Sequence, residues 1–463
     1  MRRSAALEHA ARHYDDGSFI ADLARLVAVP TESQEPRGQP FLADYLTEHL
    51  RPMLEHMGFV CQVLVNPAPG GPLLLAERIE DPDLPTVLIY GHGDVVRGLE
   101  HGWHEGLSPW RLSERDGRIY GRGVADNKGQ HAINLAALAI VLAERGQLGF
   151  NAKVLIETSE EVGSPGLREI CENHQAELAA DLLLASDGPR LAPDRPTIFL
   201  GSRGALNFDL VADLRDSGHH SGNWGGLLAN PAIILAHAIA TIVSPDGAIR
   251  IPELKPQAVP QAVRKALAEV TLGTAEGEPA IDPEWGEPGL SAAEKVFAWN
   301  SFEVLAWLAG EPHSPVNAVP PRATAHCQIR YTVDTDPAEF LPAIRRALRA
   351  AGLAQVEVRP ADVALFGATR TDPEHSWVAF ARRSIERTTG QPPALLPNLG
   401  GSLPNECFAE VLGMPTVWVP HSYRGCQQHA ANEHALPTIL REGLLIMTGL
   451  FWDLGDSVRP NGR

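Results

Sequence analysis

The chain has 463 residues, of which 44% are hydrophobic and 21% charged, with a formal net charge of −18. This length exceeds what one ordinary hydrophobic core supports, so two or more domains are expected in a soluble globular protein. The acidic balance argues against a sequence-independent nucleic-acid binder, because neutralising phosphates requires clustered Lys and Arg.

The cysteine usage and the termini indicate a cellular location. The five cysteines are scattered without CxxC spacing, which is typical of reduced thiols and excludes a Cys-type zinc site or a disulfide framework. The first residues, "MRRSAALEHAARHYDD", lack the apolar stretch of a secretory signal. No segment approaches the roughly 20 apolar residues that a membrane helix needs. We therefore expect a cytoplasmic protein without a membrane partner.

The first 200 residues predict alternating helices and strands. Residues 1–60 are expected to be helical with a break at "AVPTESQEPRGQP". Strands are predicted for "TVLIY" (86–90), "AKVLIET" (152–158) and "ADLLLASDGP" (180–189), and a helix for 127–146. Such alternation is typical of a parallel or mixed α/β sheet covered by helices. Ligands bind such sheets at the carboxyl ends of the strands.

Near residue 200 the pattern changes. "TIFLGSRGALNFDLVADLRD" (197–216) and "ATAHCQIRYTVD" (323–334) alternate at period two, and helical segments follow each of them. Residues 251–290 are rich in Pro and Glu and predict an insertion or a long loop, and "VEVRP" predicts a last strand. We predict a smaller α+β domain at 201–365 inserted into a catalytic α/β domain formed by 1–200 and 366–463.

Acidic and histidine side chains follow the predicted strands. They are His92, Asp94, Asp126, Glu160, Glu161, Asp187, His429 and His434. Each one alone is weak evidence for a site. Two adjacent glutamates at a strand end, for example, are most simply explained as solvated surface residues. Together, His and carboxylate donors without Cys suit one or two zinc-like ions.

The two adjacent glutamates can have different roles at such a site. Two ions about 3.5–4 Å apart need one carboxylate that reaches both and further ligands for each ion. A water between them loses a proton more easily, and a second carboxylate must accept that proton. Neighbouring residues in extended backbone point to opposite sides. One glutamate of the pair can therefore bind metal while the other handles the proton.

These residues lie in motifs that resemble a known family. The motifs are "YGHGDVV", "ERDGRIYGRGVADNKG", "ETSEEVGS", "ASD", "HHSGNWGG", "NLGGSLP" and "HAANE". In this order, over nearly the whole chain, they resemble the dinuclear zinc exopeptidases. That family includes carboxypeptidase G, carnosinase-like dipeptidases, aminoacylase and succinyl-diaminopimelate desuccinylase. The similarity is greatest to the carnosinase-like branch, and it implies a mixed-sheet catalytic domain with an inserted lid and dimerisation domain.

The resemblance implies a role for each residue at the predicted metal centre. One ion would be held by His92 and Asp187, and the other by Glu161 and His429. Asp126 would bridge both ions. As positioning and catalytic residues, the resemblance implies Asp94, which would orient His92, and Glu160, the general base. His434 is expected to be a neighbour and not a ligand.

The resemblance also implies substrate contacts outside the metal centre. His220 would cross from a partner subunit to stabilise the oxyanion, with His219 as the alternative. Asn317 and Arg330 would bind substrate, with Arg330 clamping a carboxylate. Ser402 would lie in the loop that holds the C-terminal end of the substrate. A homodimer through the inserted domain follows from the role of His220.

The sequence departs from the family in ways that concern the substrate. The first motif continues as "GDVVRG" without the usual proline, and Asn127 stands where many members carry Asp. The insertion at 251–310 is long, and we expect its Trp285, Trp299 and Trp307 to shape the substrate pocket.

We predict a metal-dependent hydrolase that cleaves an amide bond of a dipeptide or an N-acyl amino acid. Two divalent ions are expected, with zinc preferred and manganese or cobalt also suited. A deacylase, a desuccinylase or an N-carbamoyl amidohydrolase on the same metal site is the alternative within enzymes. A non-catalytic metal-binding relative is the alternative outside them, and the intact Glu160 argues against it.

Overall fold

The computed structural model describes residues 2–273, 279–361 and 366–456. Its α-helices are α1 (Arg3–Asp15), α2 (Ser18–Val27), α3 (Gln39–Asp44), α4 (Arg51–His56), α5 (Lys128–Arg145), α6 (Leu167–Asn173), α7 (Gln175–Leu178), α8 (Ser221–Trp224), α9 (Pro231–Ile242), α10 (Gln261–Leu267), α11 (Ala292–Phe297), α12 (Phe340–Ala350), α13 (Ser376–Thr389) and α14 (Pro437–Asp456). Two π-helical segments span Tyr45–Leu50 and Cys407–Val411.

The strands are β1 (Val60–Leu64), β2 (Leu73–Arg78), β3 (Thr86–His92), β4 (Ser113–Arg115), β5 (Arg118–Tyr120), β6 (Asn151–Glu157), β7 (Leu182–Ala185), β8 (Pro189–Arg190), β9 (Thr197–Phe199), β10 (Gly204–Asp213), β11 (His219–His220), β12 (Ser301–Ala309), β13 (Ala318–Val319), β14 (Arg322–Tyr331), β15 (Val356–Pro360), β16 (Ala394–Leu396), β17 (Thr416–Trp418), β18 (Ser422–Tyr423) and β19 (His434–Ala435).

The largest sheet has eight strands in the order β1-β2-β6-β3-β7-β17-β9-β16. Its central neighbours β6, β3, β7 and β17 run parallel, whereas β1, β2 and the β17–β9 contact are antiparallel. The predicted α/β class with a mixed sheet is confirmed. Because β3, β6 and β7 are parallel neighbours, their carboxyl ends meet at one edge of the sheet.

Both faces of the eight-stranded sheet are buried under helices. On β3, Val87 and Ile89 join one core with residues of α1, α2, α5, α13 and α14. The intervening Leu88 and Tyr90 join a second core on the opposite face, with residues of α6, α7, α10 and α11. A strand buried on both faces reads as a continuous apolar run, which is why "TVLIY" shows no polar alternation.

A smaller, antiparallel sheet has the order β12-β14-β10-β15 and packs its core against α9 and α12. Strand β12 was not predicted from the sequence, because residues 251–310 were treated as an insertion. Its residues Val304, Leu305, Trp307 and Leu308 are exposed apolar side chains, so the strand lacks the polar alternation of a half-covered sheet.

The remaining part of that insertion lies against the larger sheet. Helices α10 and α11 contribute Val263, Leu267 and Phe297 to the core that contains Phe199 and Leu396. The domain boundaries at 1–200, 201–365 and 366–463 stay a prediction. Among the described residues, no helix combines the length and the apolar character needed to cross a bilayer.

Candidate metal centre

The acidic and histidine side chains converge at one edge of the eight-stranded sheet. His92 ends β3, Glu160 and Glu161 follow β6, and Asp187 follows β7. Asp126 lies in the loop that leads into α5. These residues lie together because parallel neighbours place their following loops at the same edge of the sheet.

Two donor groups share Asp126. In the first group, the Nε2 atom of His92 lies 3.0 Å from Oδ1 of Asp126 and 3.7 Å from Oδ2 of Asp187. In the second, the Nε2 atom of His429 lies 3.0 Å from Oδ2 of Asp126 and 3.2 Å from Oε2 of Glu161. Within each group the donor atoms lie within 4.8 Å of one another. Asp126 thus offers one oxygen to each group, as a bridging ligand must.

The donor set fits divalent cations. Carboxylate and imidazole donors suit zinc and related ions. The Oε1 atom of Glu161 is buried and has no hydrogen-bond partner among the described residues. A buried carboxylate oxygen without a hydrogen bond is costly unless a cation supplies the missing interaction. The site is therefore suited to divalent metal binding.

Asp94 contacts both His92 and the loop that carries Glu160 and Glu161. Its Oδ1 atom lies 3.4 Å from Nδ1 of His92, and its backbone oxygen lies 3.1 Å from the same nitrogen. Its two carboxylate oxygens also accept the backbone N–H groups of Glu160 and Glu161 at 3.2 and 3.1 Å. Asp94 is placed to orient both the histidine and the acidic loop.

Burial and the neighbouring charges shift the pKa values at the centre. Burial raises the pKa of Glu160 well above its ordinary value, that of Glu161 to about 7 and that of Asp187 to about 6. Burial opposes the ionisation of Asp126 too, but hydrogen bonds from the two histidines bring its pKa below the ordinary value. Hydrogen bonds to Asp126 and Glu161 raise the pKa of His429 to about 11.

Glu433 is a functional candidate to which the sequence reasoning assigned no role. It is 1% exposed, and its carboxylate accepts a hydrogen bond from Nη1 of Arg122 at 2.6 Å. It also accepts the backbone N–H groups of Gly123, Ala125 and Asp126 at 2.9 to 3.1 Å. Glu433 therefore holds the loop that presents the shared ligand. The sequence feature that could have indicated Glu433 is its position in "HAANE", four residues after His429.

The backbone at the centre is unusual at two places. Gly123 has φ +88°, and a Cβ there would lie 2.9 Å from Cδ of Lys128, so the turn before Asp126 requires glycine. The loop after β18 contains three non-glycine residues with positive φ, namely Gln427, His429 and Asn432. Such conformations cost energy and occur mainly where the surroundings enforce them, as at binding loops.

A cavity of about 370 Å³ opens over the metal centre. Its wall includes Asp126, Glu160, Asp187 and His429 and the loop 399–403. The expectation that the three tryptophans shape the pocket is wrong for this cavity. Helix α11 of the same insertion contributes the lining residues Val296 and Phe297, because α11 packs on the core of the larger sheet.

Arg330 and Ser402 meet beside this cavity. Nη1 of Arg330, on β14, donates a hydrogen bond to Oγ of Ser402 at 2.8 Å, and that hydroxyl donates to the backbone oxygen of Arg203 at 2.8 Å. Nε of Arg203 donates to the backbone oxygen of Gly400 at 2.9 Å. Burial, and the positive charge of Arg330, lower the pKa of Arg203 to about 10. Two guanidinium groups thus lie next to the lining loop.

His220 and Asn317 lie together but away from the cavity wall. Both are exposed, with His220 on β11 and Asn317 immediately before β13, and His220 pairs with Ala318. The backbone oxygen of Asn317 accepts the N–H of Ser221 at 2.8 Å. Neither side chain lines the cavity, so their roles stay predictions. His434 contacts the hydroxyl of Tyr423 and is in neither donor group found among the described residues.

The mixed α/β sheet and the two donor groups that share Asp126 at its strand ends are those of a metal-binding α/β protein. The model of the peptidase family M20/M25/M40 matches residues 88–453, and the chain belongs to this family. The predicted resemblance to the dinuclear exopeptidases and their carnosinase-like branch is confirmed.

Two curated relatives and a solved structure illustrate the similarity. The chain is 31% identical to a Beta-Ala-His dipeptidase of Rattus norvegicus over 262 residues, covering 54% of this chain and 52% of the relative. It is 28% identical to a cysteinylglycine-S-conjugate dipeptidase of Corynebacterium striatum over 335 residues, covering 70% of each.

An M20 family metallo-carboxypeptidase from Sulfolobus solfataricus superposes with a TM-score of 0.78 at 25% identity, covering 95% of this chain and 99% of that one. The chain spans about half the length of the first curated relatives it matches, at 51% to 53% of each.

Proposed function

We propose that this protein is a metal-dependent hydrolase that cleaves the amide bond of a dipeptide. The observation that carries the proposal is Asp126, which offers one oxygen to each of two donor groups at the floor of a cavity. The names of the relatives favour a dipeptide over an N-acyl amino acid. Deacylase, desuccinylase and N-carbamoyl amidohydrolase activities are the alternatives that the substrate assay below separates.

The two groups would hold two divalent ions, for which we propose zinc, with manganese and cobalt also suited. When bound, such ions polarise a carbonyl group and lower the pKa of a water molecule. His92 and Asp187 would hold one ion and Glu161 and His429 the other, with Asp126 shared. Asp94 keeps His92 oriented through the contact with its Nδ1 atom.

Glu160 is the proposed general base. It lines the cavity, and its Oε2 atom lies 4.0 Å from Nε2 of His92, so it is next to the donor groups without belonging to either. Its raised pKa suits a carboxylate that accepts a proton from the attacking water and returns it to the leaving amine.

Arg330 and Ser402 are the proposed anchors of the free carboxylate of the substrate. Ser402 lines the cavity, and Arg330 contacts its hydroxyl from the smaller sheet. A guanidinium group beside a loop with exposed backbone is a suitable partner for a carboxylate. The position of Asn317 next to His220 supports a shared role for these two residues at the substrate when a second subunit supplies them.

We also propose a homodimer through the smaller sheet. Strand β12 is an edge strand, and its Val304, Leu305, Trp307 and Leu308 are 39% to 57% exposed. An exposed apolar edge of this kind favours pairing with another strand. A second copy is the proposed occupant because the exposed His220 would then have a neighbouring active site to reach.

The five free cysteines support a reducing, cytoplasmic location.

The dimer is tested with Trp307→Glu, which places a charge on the exposed face of β12. Light scattering coupled to size exclusion should give twice the chain mass for the wild type and the single chain mass for the variant. Val65→Glu, which changes an 87% exposed side chain after β1, is the matched control and should remain a dimer. A wild type with the mass of one chain would contradict the dimer and the oxyanion role of His220.

The activity is tested on chelator-stripped protein with zinc, manganese or cobalt added back. Dipeptides and N-acyl amino acids are offered in parallel, and we expect metal-restored cleavage of dipeptides. Glu160→Gln should bind metal normally and lose at least 100-fold in turnover, since general catalysis contributes about 10²–10⁴-fold. Glu161→Gln should instead lose one of the two metal ions, because Glu161 belongs to only one donor group. A Glu160→Gln variant with full activity would refute the mechanism.

A further inference from the structure

Gln130 lies at a junction of three loops around the metal centre. It is the third residue of α5, and it is 1% exposed. Helix α5 begins two residues after Asp126, so Gln130 is four residues from the shared ligand in the chain. The mechanism proposed above gives Gln130 no role.

The side-chain amide of Gln130 makes three hydrogen bonds to backbone groups. Its Nε2 atom donates to the backbone oxygens of Ala125 at 2.9 Å and Gly188 at 3.4 Å. Its Oε1 atom accepts the N–H of His421 at 2.7 Å. Two carbonyl groups require a donor and an N–H group requires an acceptor, so the partners determine which way the amide faces.

Two of the three partners adjoin a residue of the metal centre. Ala125 precedes Asp126 in the chain. Gly188 follows Asp187, and its own N–H donates to Oδ1 of Asp187 at 2.6 Å. The same carbonyl of Gly188 also accepts from the Ser422 hydroxyl at 3.0 Å, next to His421. One side chain thus connects the loops of two ligands to the segment that leads towards a third.

We propose that Gln130 is a positioning residue that sets the separation of Asp126 and Asp187 and thereby the affinity of the His92–Asp126–Asp187 group for a divalent cation. The inference rests on the two-metal centre of the proposed function. The other group depends less on Gln130, because the loop of Glu161 is held by Asp94 instead. Loss of the amide should therefore weaken one binding step more than the other.

Gln130→Met keeps the length of the side chain and removes all three hydrogen bonds. Gln130→Asn keeps the amide but is one methylene too short to reach all three partners, and it serves if the Met variant does not fold. Asn151→Leu is the matched control. Nδ2 of Asn151 also bridges two backbone oxygens, those of Asp81 at 2.8 Å and Leu84 at 3.1 Å, at the opposite end of the sheet.

The measurement is a Zn²⁺ titration of chelator-stripped, full-length protein in competition with a chromophoric chelator, which yields two stepwise affinities. We expect the Gln130 variants to weaken one step about 10- to 100-fold, as is typical when a group that orients a ligand is lost. In a Glu161→Gln background, only the His92 group is complete, and the weakening should appear in its single step. Asn151→Leu should lower the melting temperature and leave both affinities unchanged.

Unchanged affinities in a folded Gln130 variant would overturn the inference, and so would equal losses in Asn151→Leu, which would indicate a general structural effect. A wild type that binds fewer than two zinc ions would refute the two-metal proposal itself, and with it this inference. The two failures are therefore distinguishable from the wild-type titration alone.

Discussion

Removal of the Glu433 carboxylate should destabilise the protein strongly, although Glu433 belongs to neither donor group. Glu433 and Arg122 are 1% and 0% exposed in their side chains, and Nη1 of Arg122 lies 2.6 Å from the carboxylate. Glu433→Ala leaves a guanidinium group in the interior without its counter-charge. It also removes the acceptor of three backbone N–H groups, among them that of Asp126.

The expected loss follows from these contacts. Breaking a buried ion pair by removing one partner costs about 3–5 kcal/mol. Each N–H group left buried without an acceptor adds about 1–3 kcal/mol, less where water enters. These costs do not add fully, so we expect the free energy of unfolding to fall by at least about 4 kcal/mol, which is a large part of the 5–15 kcal/mol typical of a domain.

Urea unfolding of the chelator-stripped protein, followed by circular dichroism, measures this loss. Asp15→Ala is the matched control. Asp15 accepts two hydrogen bonds from Arg441 at 2.7 and 2.8 Å, but both side chains are exposed, so its loss should change little. Arg122→Met with Glu433→Ala should recover part of the stability, since no charge remains unpaired. A loss below 1 kcal/mol in Glu433→Ala, or a double variant no more stable than it, would refute the reasoning.

Two further predictions concern pH and substrate affinity. Burial raises the pKa of Glu157 from 4.5 to about 7, so its stabilising contribution is present below pH 4.5 and lost as the pH rises through 7. Glu157→Gln can keep the hydrogen bonds from Tyr90 and Ser164 but has no charge to bury. In urea unfolding of the metal-free protein, its free energy of unfolding relative to the wild type should therefore rise by roughly 2–3 kcal/mol as the pH goes from 5 to 8. Arg203→Leu loses a charged hydrogen bond to Gly400 beside the cavity, so we expect KM for a dipeptide to rise about tenfold with kcat and metal content little changed. An unchanged KM would contradict a role of Arg203 in holding that loop.

The sequence predicts the catalytic sheet well because its strands are buried on both faces. Continuous apolar runs such as that of β3 can be recognised without knowing their partners. Strand β12 could not be recognised in the same way. Its apolar side chains Val304, Leu305, Trp307 and Leu308 are exposed, so their pattern does not report packing against the local core. Helix α11 was missed as a lining element because its contact with the larger sheet joins residues far apart in the chain.

The histidines and carboxylates of the two donor groups could be recognised because their side chains carry metal-binding chemistry. A histidine or carboxylate after a buried strand is visible in the sequence, and the order of the motifs adds to the signal. The residues that hold these ligands act on backbone groups instead. Nothing in the pattern around Gln130 indicates that its amide meets the carbonyl groups of Ala125 and Gly188, because those contacts depend on how the loops pack.

The holding residues connect the ligand loops to one another. Asp94, beside His92, binds the backbone of the Glu161 loop, and Glu433, beside His429, binds the backbone of the Asp126 loop. Gln130, at the start of the helix after Asp126, binds the Asp187 loop. Each of these three loops is thus held by a side chain from the segment of another donor residue. Residues that share partners in this way do not act independently, so the effects of Glu433→Ala and Gln130→Met on metal affinity should be coupled. The geometry of the centre is therefore a property of the whole set of loops, and intact motifs alone do not guarantee it.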